Sequence, residues 1–454
     1  MSTRTPDHTL RTVALAAGVA LAVLVTGCAQ VVPGQATAVR PTVALPLSAE
    51  QVAATATATL QELWRDRFPA TFGREWTDIA TFTPVDTADA DAPAPPCLDR
   101  VAELANQALY CTTADAVVWD ADGFIPELHK RFGPAGVVVV LAHEVGHAVQ
   151  TRLGLDEAQA RNPGRYPTIL LEAMADCYAG VALAHLADRP IAGLPLGASE
   201  RDEALLALVG FRDPLGVDPS HQSAHGNAFD RVSAFQDGYL DGATRCADMS
   251  LDNRAFTQRR FGSVDDLTRG GDLPLSQLLT AVENDARDWF TTVAAGRVPG
   301  WQAPPLRATG GCPARELAAQ GPARFCAADG AVSVDPDELG PFHQRLGDYA
   351  GATLVASRYG LAALDAAGAD TTGSAAGAAA VCLAGAYTGR LIDPDGTFSL
   401  SPGDLDEAVQ VLLEGDWAAR DATGVAEHGA HGFDRVGRFR AGLLDGPDRC
   451  LPTP

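Results

Sequence analysis

The stretch Gly136–Gly154 reads GVVVVLAHEVGHAVQTRLG and decides how the rest of the chain is organised. It is an apolar run that follows Gly133-Pro134 and stops at Gly154, with proline near the start and glycine at the end, as a buried helix is punctuated. Only His143, Glu144 and His147 interrupt its apolar core. Residues four apart share one helical face, so both imidazoles can bind a single zinc ion while Glu144 stands beside the metal's open position. If the two histidines were merely core residues, the Glu144 carboxylate would be buried without compensation, which is costly.

A catalytic zinc needs a third protein ligand. Pro167–Ala187, PTILLEAMADCYAGVALAHLA, supplies one on a second helix that is apolar nearly all round and whose only acids are Glu172 and Asp176. Spaced i, i+4, these two carboxylates repel each other unless a cation or a histidine N–H offsets them. Both needs are met if Glu172 binds the metal and Asp176 accepts an N–H from His143 or His147, fixing that ring's tautomer.

The cysteines give the chain a period. Apart from Cys28 they are Cys97, Cys111, Cys177 and Cys246, then Cys312, Cys326, Cys382 and Cys450. The first pair of each set is 14 residues apart and the last pair 69 or 68 apart. The expected bridges are Cys97–Cys111, Cys177–Cys246, Cys312–Cys326 and Cys382–Cys450, with other connectivities open to the same sequence. In that register HGNAFDRVSAFQDGYLDGATRC (His225–Cys246) is echoed by HGAHGFDRVGRFRAGLLDGPDRC (His428–Cys450), and ALYCTTADAVVWD by ARFCAADGAVSVD. AVVWD and AVSVD read as short strands. The positions of His143, Glu144, His147, Glu172 and Asp176 become Ser357, Arg358, Leu361, Gly377 and Val381, so no ligand survives in the second copy. Asp230, Arg231, Asp434 and Arg435 persist in both and read as buried polar contacts rather than chemistry.

LAHEVGHAVQ followed by LLEAMADCYAG, with LYCTTADAVVWD before and HGNAFDRVSAFQDGYLDG after, resembles the bacterial family of neutral zinc metallopeptidases, Glu-ligated zincins with HExxH and ExxAD helices. The resemblance covers most of the first half; the second half has no counterpart in the usual single-domain members. It implies that His143, His147 and Glu172 hold Zn2+, that Glu144 is the general base and that the cysteines pair as disulfides. It also implies peptide hydrolysis on a protein or peptide substrate laid along a sheet edge, for which the AVVWD strand is the candidate. An oxyanion donor is also required, and His225 or His221 is in position by sequence, although retention of a His-Gly in the metal-free copy weakens that assignment. The expected fold is α+β, two tandem zincin-like metallopeptidase domains of which the second lacks the zinc site.

The chain has 454 residues, a net charge of −23 and a single lysine, Lys130. That acidity argues against a nucleic-acid partner. Arg4 and Arg11 precede an apolar segment ending in VTGC at Cys28, which resembles the lipobox of an exported lipoprotein. The organisation expected is a lipoprotein signal peptide over 1–27, a tether over 28–46, the zinc domain over 47–253, a linker over 254–272 and the degenerate domain over 273–454. Cys28 would carry the membrane anchor on the outer face of the bacterial cytoplasmic membrane. DADG at Asp120–Gly123 and DPDG at Asp393–Gly396 read as turns rather than calcium loops. Two functions fit: an envelope zinc peptidase, or a non-catalytic zinc-containing lipoprotein that binds or scaffolds partners.

Overall fold

Ser48 opens the first helix, Ala49–Phe72, with a capping box: its hydroxyl accepts the Gln51 N–H while the Gln51 side chain accepts the Ser48 N–H. In this computed structural model, residues 46–221, 224–308, 319–392 and 398–451 are described. The expected leader, Cys28, nearly all of the tether, Cys312 and Asp393–Gly396 lie outside the described residues.

The motif helix runs Phe124–Leu153 and is interrupted where expected: Gly133, at φ 61°, breaks the first two turns from the straight segment that Pro134 starts. It ends at Gly154 in the left-handed region. Thr168–Asp188 packs along it, and that helix and the segment from Ala135 to Val149 are apolar nearly all round because both are core, while the first turns before Gly133 keep Glu127 and Lys130 exposed. The approach is close at Gly146, where a Cβ would lie 2.9 Å from the Ala175 carbonyl oxygen.

Three strands cover this pair in the order β1 (Thr81–Val85), β3 (Ala116–Asp120), β2 (Ala108–Cys111). The first two are parallel and β2 is antiparallel to β3. This corrects one sequence expectation. AVVWD is the central strand, bonded on both sides and buried at every residue, so it cannot be the free edge; β2 is. Asp120–Gly123 is a turn, its carboxylate accepting the Gly123 N–H.

The same arrangement occurs again. β4 (Leu306–Arg307), β6 (Ala331–Val334) and β5 (Ala323–Cys326) lie in the order β4-β6-β5, with one parallel and one antiparallel pairing. Helices Leu275–Ala295, Asp348–Ala366, Ser374–Arg390, Asp404–Glu414 and Gly432–Asp445 follow the chain order of Ala49–Phe72, the motif helix, Thr168–Asp188, Ala198–Gly210 and Ala228–Asp241. Even the contacts repeat. A Cβ at Gly238 would sit 1.7 Å from the Cys177 carbonyl oxygen, and one at Gly442 1.8 Å from that of Cys382. Gly238→Ala is therefore expected to lower stability by about 1–3 kcal/mol or more, read as a lower urea midpoint.

Cys97–Cys111, Cys177–Cys246 and Cys382–Cys450 are bridged, and Cys326 is disulfide-bonded. The halves share one core, and Ala44–Pro454 forms one compact unit. They also exchange acids. Asp406 accepts the Ala228 N–H at 2.7 Å and pairs with Arg212 at 2.8 Å, while Asp202 accepts the Gly432 and Phe433 N–H groups. The segment expected as a linker is tied in as well: Thr257 donates to Asp230, and Arg259 donates to the Ile392 and Leu400 carbonyls.

Candidate active site

The helical repeat places His143 and His147 one turn apart, facing Glu172 on the neighbouring helix. Their Nε2 atoms are 3.2 Å apart; His143 Nε2 is 3.2 Å from Glu172 Oε2 and His147 Nε2 is 3.6 Å from Glu172 Oε1. Two ligands bound to one tetrahedral zinc at about 2.1 Å stand about 3.4 Å apart, so this donor set fits such an ion. Among the described residues these three form the one His-containing group able to hold a metal.

Supporting contacts set the ring orientations. His143 Nδ1–H donates to Asp176 at 2.7 Å, and Asp176, wholly buried, also accepts Arg231 Nε–H and Nη2–H at 2.9 Å each. His147 Nδ1–H donates to Gln150 Oε1 at 3.1 Å, and Gln150 in turn donates to the Leu171 carbonyl. Of these, Gln150 was missed from sequence; a glutamine three residues past His147 on an apolar helix was the available signal. For Arg231 the sequence points to a buried contact and leaves its partner unnamed.

Electrostatics keep the set charged. Burial opposes a protonated His143, but Asp176 and Glu172 outweigh it and hold the ring up to about 10. Burial also opposes an ionised Glu172, yet the two histidines keep it well below the usual carboxylate range. Without metal, then, the His143 ring carries a proton that a cation must displace, and Glu172 raises the pKa of His147 as well, against burial. Zinc affinity is expected to rise with pH between about 6 and 8, roughly tenfold per unit for each proton released, measured by competition with a chelating dye.

Glu144 lies beside the ligands at the cleft wall. Burial pushes its carboxyl up, and one oxygen accepts the Tyr110 N–H of the edge strand at 2.9 Å. The cleft encloses about 520 Å³ and is lined by β2 and its flanks on one side and by Leu171, Leu208 and Phe211 on the other. His225 also lines it, half exposed, with Nε2 3.9 Å from Glu172 and Nδ1 3.5 Å from Asp213, whose contact raises its pKa. Its counterpart by sequence, His428, precedes a different cap, since His431 and not Asn227's equivalent amide starts that helix. His221 is not among the residues lining the cleft.

The profile described as "Putative neutral zinc metallopeptidase" matches residues 8–248, more than half of the chain. The chain belongs to that family. Uncharacterized proteins of Mycobacterium tuberculosis and Mycobacterium bovis are each 30% identical to it over 156 residues, covering 31% of this chain and 53% of theirs. The chain thus spans about half the length of the curated relatives it matches. No solved structure matches it.

The corresponding place in the second half is filled. Arg358, in the position of Glu144, is fully buried and donates to the Trp417 and Ala418 carbonyls at 3.0 Å. Burial draws its pKa down to about 9. At Gly377, in the position of Glu172, a Cβ would lie 1.9 Å from the Ala419 carbonyl oxygen. The short turn Trp417–Ala419 thus lies against both positions and leaves no room for a side chain at 377.

Proposed function

We propose that this chain is a zinc-dependent peptidase, held by a lipid on Cys28 at the outer face of the bacterial cytoplasmic membrane, whose residues 273–454 are a tandem copy of the same fold that lacks the zinc site. The observation that carries the peptidase reading is the convergence of His143, His147 and Glu172 with Glu144 at their side in a cleft bounded by an unpaired strand edge. The shared strand order, helix order and glycine contacts of the two halves support the tandem copy; the anchor rests on the sequence alone, on the apolar segment that ends in VTGC at Cys28.

Zinc bound by the three ligands would act as a Lewis acid toward the scissile carbonyl and acidify water. Glu144 is suited to take a proton from that water and return it to the leaving amine, because burial holds its pKa above that of an exposed glutamate. β2 offers its free edge to an extended peptide, and the apolar wall of Leu171, Leu208 and Phe211 accepts a side chain from it. His225, which lines the cleft beside Glu172, can donate toward a developing oxyanion. Asp176 and Gln150 keep each imidazole presenting Nε2 to the metal.

The test is cleavage of a peptide library by the purified, zinc-quantified chain. The expected result is one zinc per chain and cleavage that stops on chelation and returns with zinc. A zinc-loaded protein that cleaves nothing would leave the binding or scaffolding function in its place.

A further inference from the structure

We propose that Asp272, Asp348, Asp404 and Glu407 form a second metal site, chemically distinct from the histidine site, that takes calcium. Asp348 is the first residue of the Asp348–Ala366 helix, Asp404 and Glu407 lie in the first turn of Asp404–Glu414, and Asp272 sits just before the Leu275–Ala295 helix. Carboxylate oxygens of Asp272, Asp348 and Glu407 lie within 4.8 Å of one another. Asp348, Asp404 and Glu407 are 3%, 4% and 9% exposed.

Part of this charge is compensated by backbone. Asp348 Oδ2 accepts the Leu273 N–H at 2.6 Å, Glu407 Oε2 the Tyr349 N–H at 2.6 Å and Asp404 Oδ2 the Ser401 N–H at 2.8 Å. The remaining oxygens are the informative ones. Asp348 Oδ1 and Asp404 Oδ1 are shut off from solvent and have no hydrogen-bond partner among the described residues. No arginine or lysine forms an ion pair with any of the four acids among the described residues, unlike Asp176, Asp237 or Asp406 elsewhere in the core. His343 is the nearby basic group, and its Nε2 is directed to the Leu273 carbonyl.

Three buried carboxylates, joined by the partly exposed Asp272 and without a counter-charge, need either a cation or protons. Burial and mutual repulsion push Asp348 up to about 6 and Asp404 and Glu407 well above the usual range, which is the condition of the cluster without a cation. An all-carboxylate donor set suits a hard ion, and calcium tolerates its irregular, backbone-constrained geometry better than magnesium does. The cradle also has a glycine wall: at Gly347, φ 106°, a Cβ would lie 2.1 Å from the Glu407 carboxyl carbon. An ion here would pin the segment entering the second half to the helix whose Asp406 holds Ala228 in the first.

The experiment is calorimetric titration of the zinc-loaded, EGTA-treated full chain with calcium chloride at neutral pH, alongside thermal melts. Expected are one calcium per chain in addition to zinc and a Tm raised by roughly 3–5 °C at a hundredfold excess over Kd. Glu407→Gln and, independently, Asp348→Asn should each weaken calcium binding at least about tenfold with zinc content unchanged. The proposal is overturned if the wild-type chain shows neither calcium heat nor a Tm shift up to about 10 mM, above the weakest extracellular calcium sites. It is also overturned if both variants respond as the wild type does. A Tm that instead falls as pH rises through 6, indifferent to calcium, would mean the cluster holds protons rather than metal, because groups with raised pKa stabilise only while protonated.

Discussion

Glu144→Gln is expected to reduce kcat/KM for peptide cleavage by about 10²- to 10⁴-fold while the chain keeps its zinc. The substitution keeps the side chain's shape and leaves a carbonyl oxygen able to accept the Tyr110 N–H, so the wall between the metal helix and β2 stays closed. What disappears is a group that can take and return a proton. None of the three candidate ligands is touched, so metal analysis by mass spectrometry should give the same stoichiometry for both proteins. Undiminished cleavage by the glutamine variant would remove Glu144 from the reaction and require another base; His225, half exposed at the same cleft, would be the next residue to replace.

Arg231→Ala is expected to cost about 3–5 kcal/mol of stability. The loss comes less from the missing attraction than from the carboxylate left behind. Asp176 is wholly buried, accepts two N–H groups from Arg231, and would be left with His143 alone. Arg231 also donates to the Phe211 carbonyl at the end of the Ala198–Gly210 helix, so a second acceptor is orphaned. Urea unfolding of the metal-free proteins measures the loss. Combining Arg231→Ala with Asp176→Asn should recover part of it, because the unpaired charge is then gone. Additive losses in the double variant would show that the two residues do not act as a pair.

The candidate ligands were legible because metal chemistry leaves a periodic trace: two histidines one turn apart, then two acids one turn apart, each on an otherwise apolar helix. The strands AVVWD and AVSVD and the three described bridges that matched the cysteine periods were legible for the same reason, as local patterns. Strand order was not. Whether AVVWD is central or at the edge depends on which neighbours come to lie beside it, and burial at all five of its residues is compatible with either until β1 is placed parallel to it. The partner of Arg231 was hidden because the arginine is retained where the aspartate is not. Arg435 donates to the Leu412 and Leu413 carbonyls at the end of Asp404–Glu414, as Arg231 does to Phe211, so the shared duty of both arginines is to cap the preceding helix. Only in the first half is Asp176 added. The four-acid cluster left no motif, since its members come from three separate segments.

The exchanged acids Asp202 and Asp406 bear on how such a chain can change over time. Each half supplies the carboxylate on which the other half's closing helix begins, and one of those helices carries Arg231. Deleting the half that has no histidine site would strip the Ala228 amide and Arg212 of their acceptor and disturb the arginine that steadies Asp176. Under the proposed duplication, a half freed from zinc chemistry is thus still bound by architecture: it can trade away its zinc ligands residue by residue, but its helix ends are held in common with its neighbour.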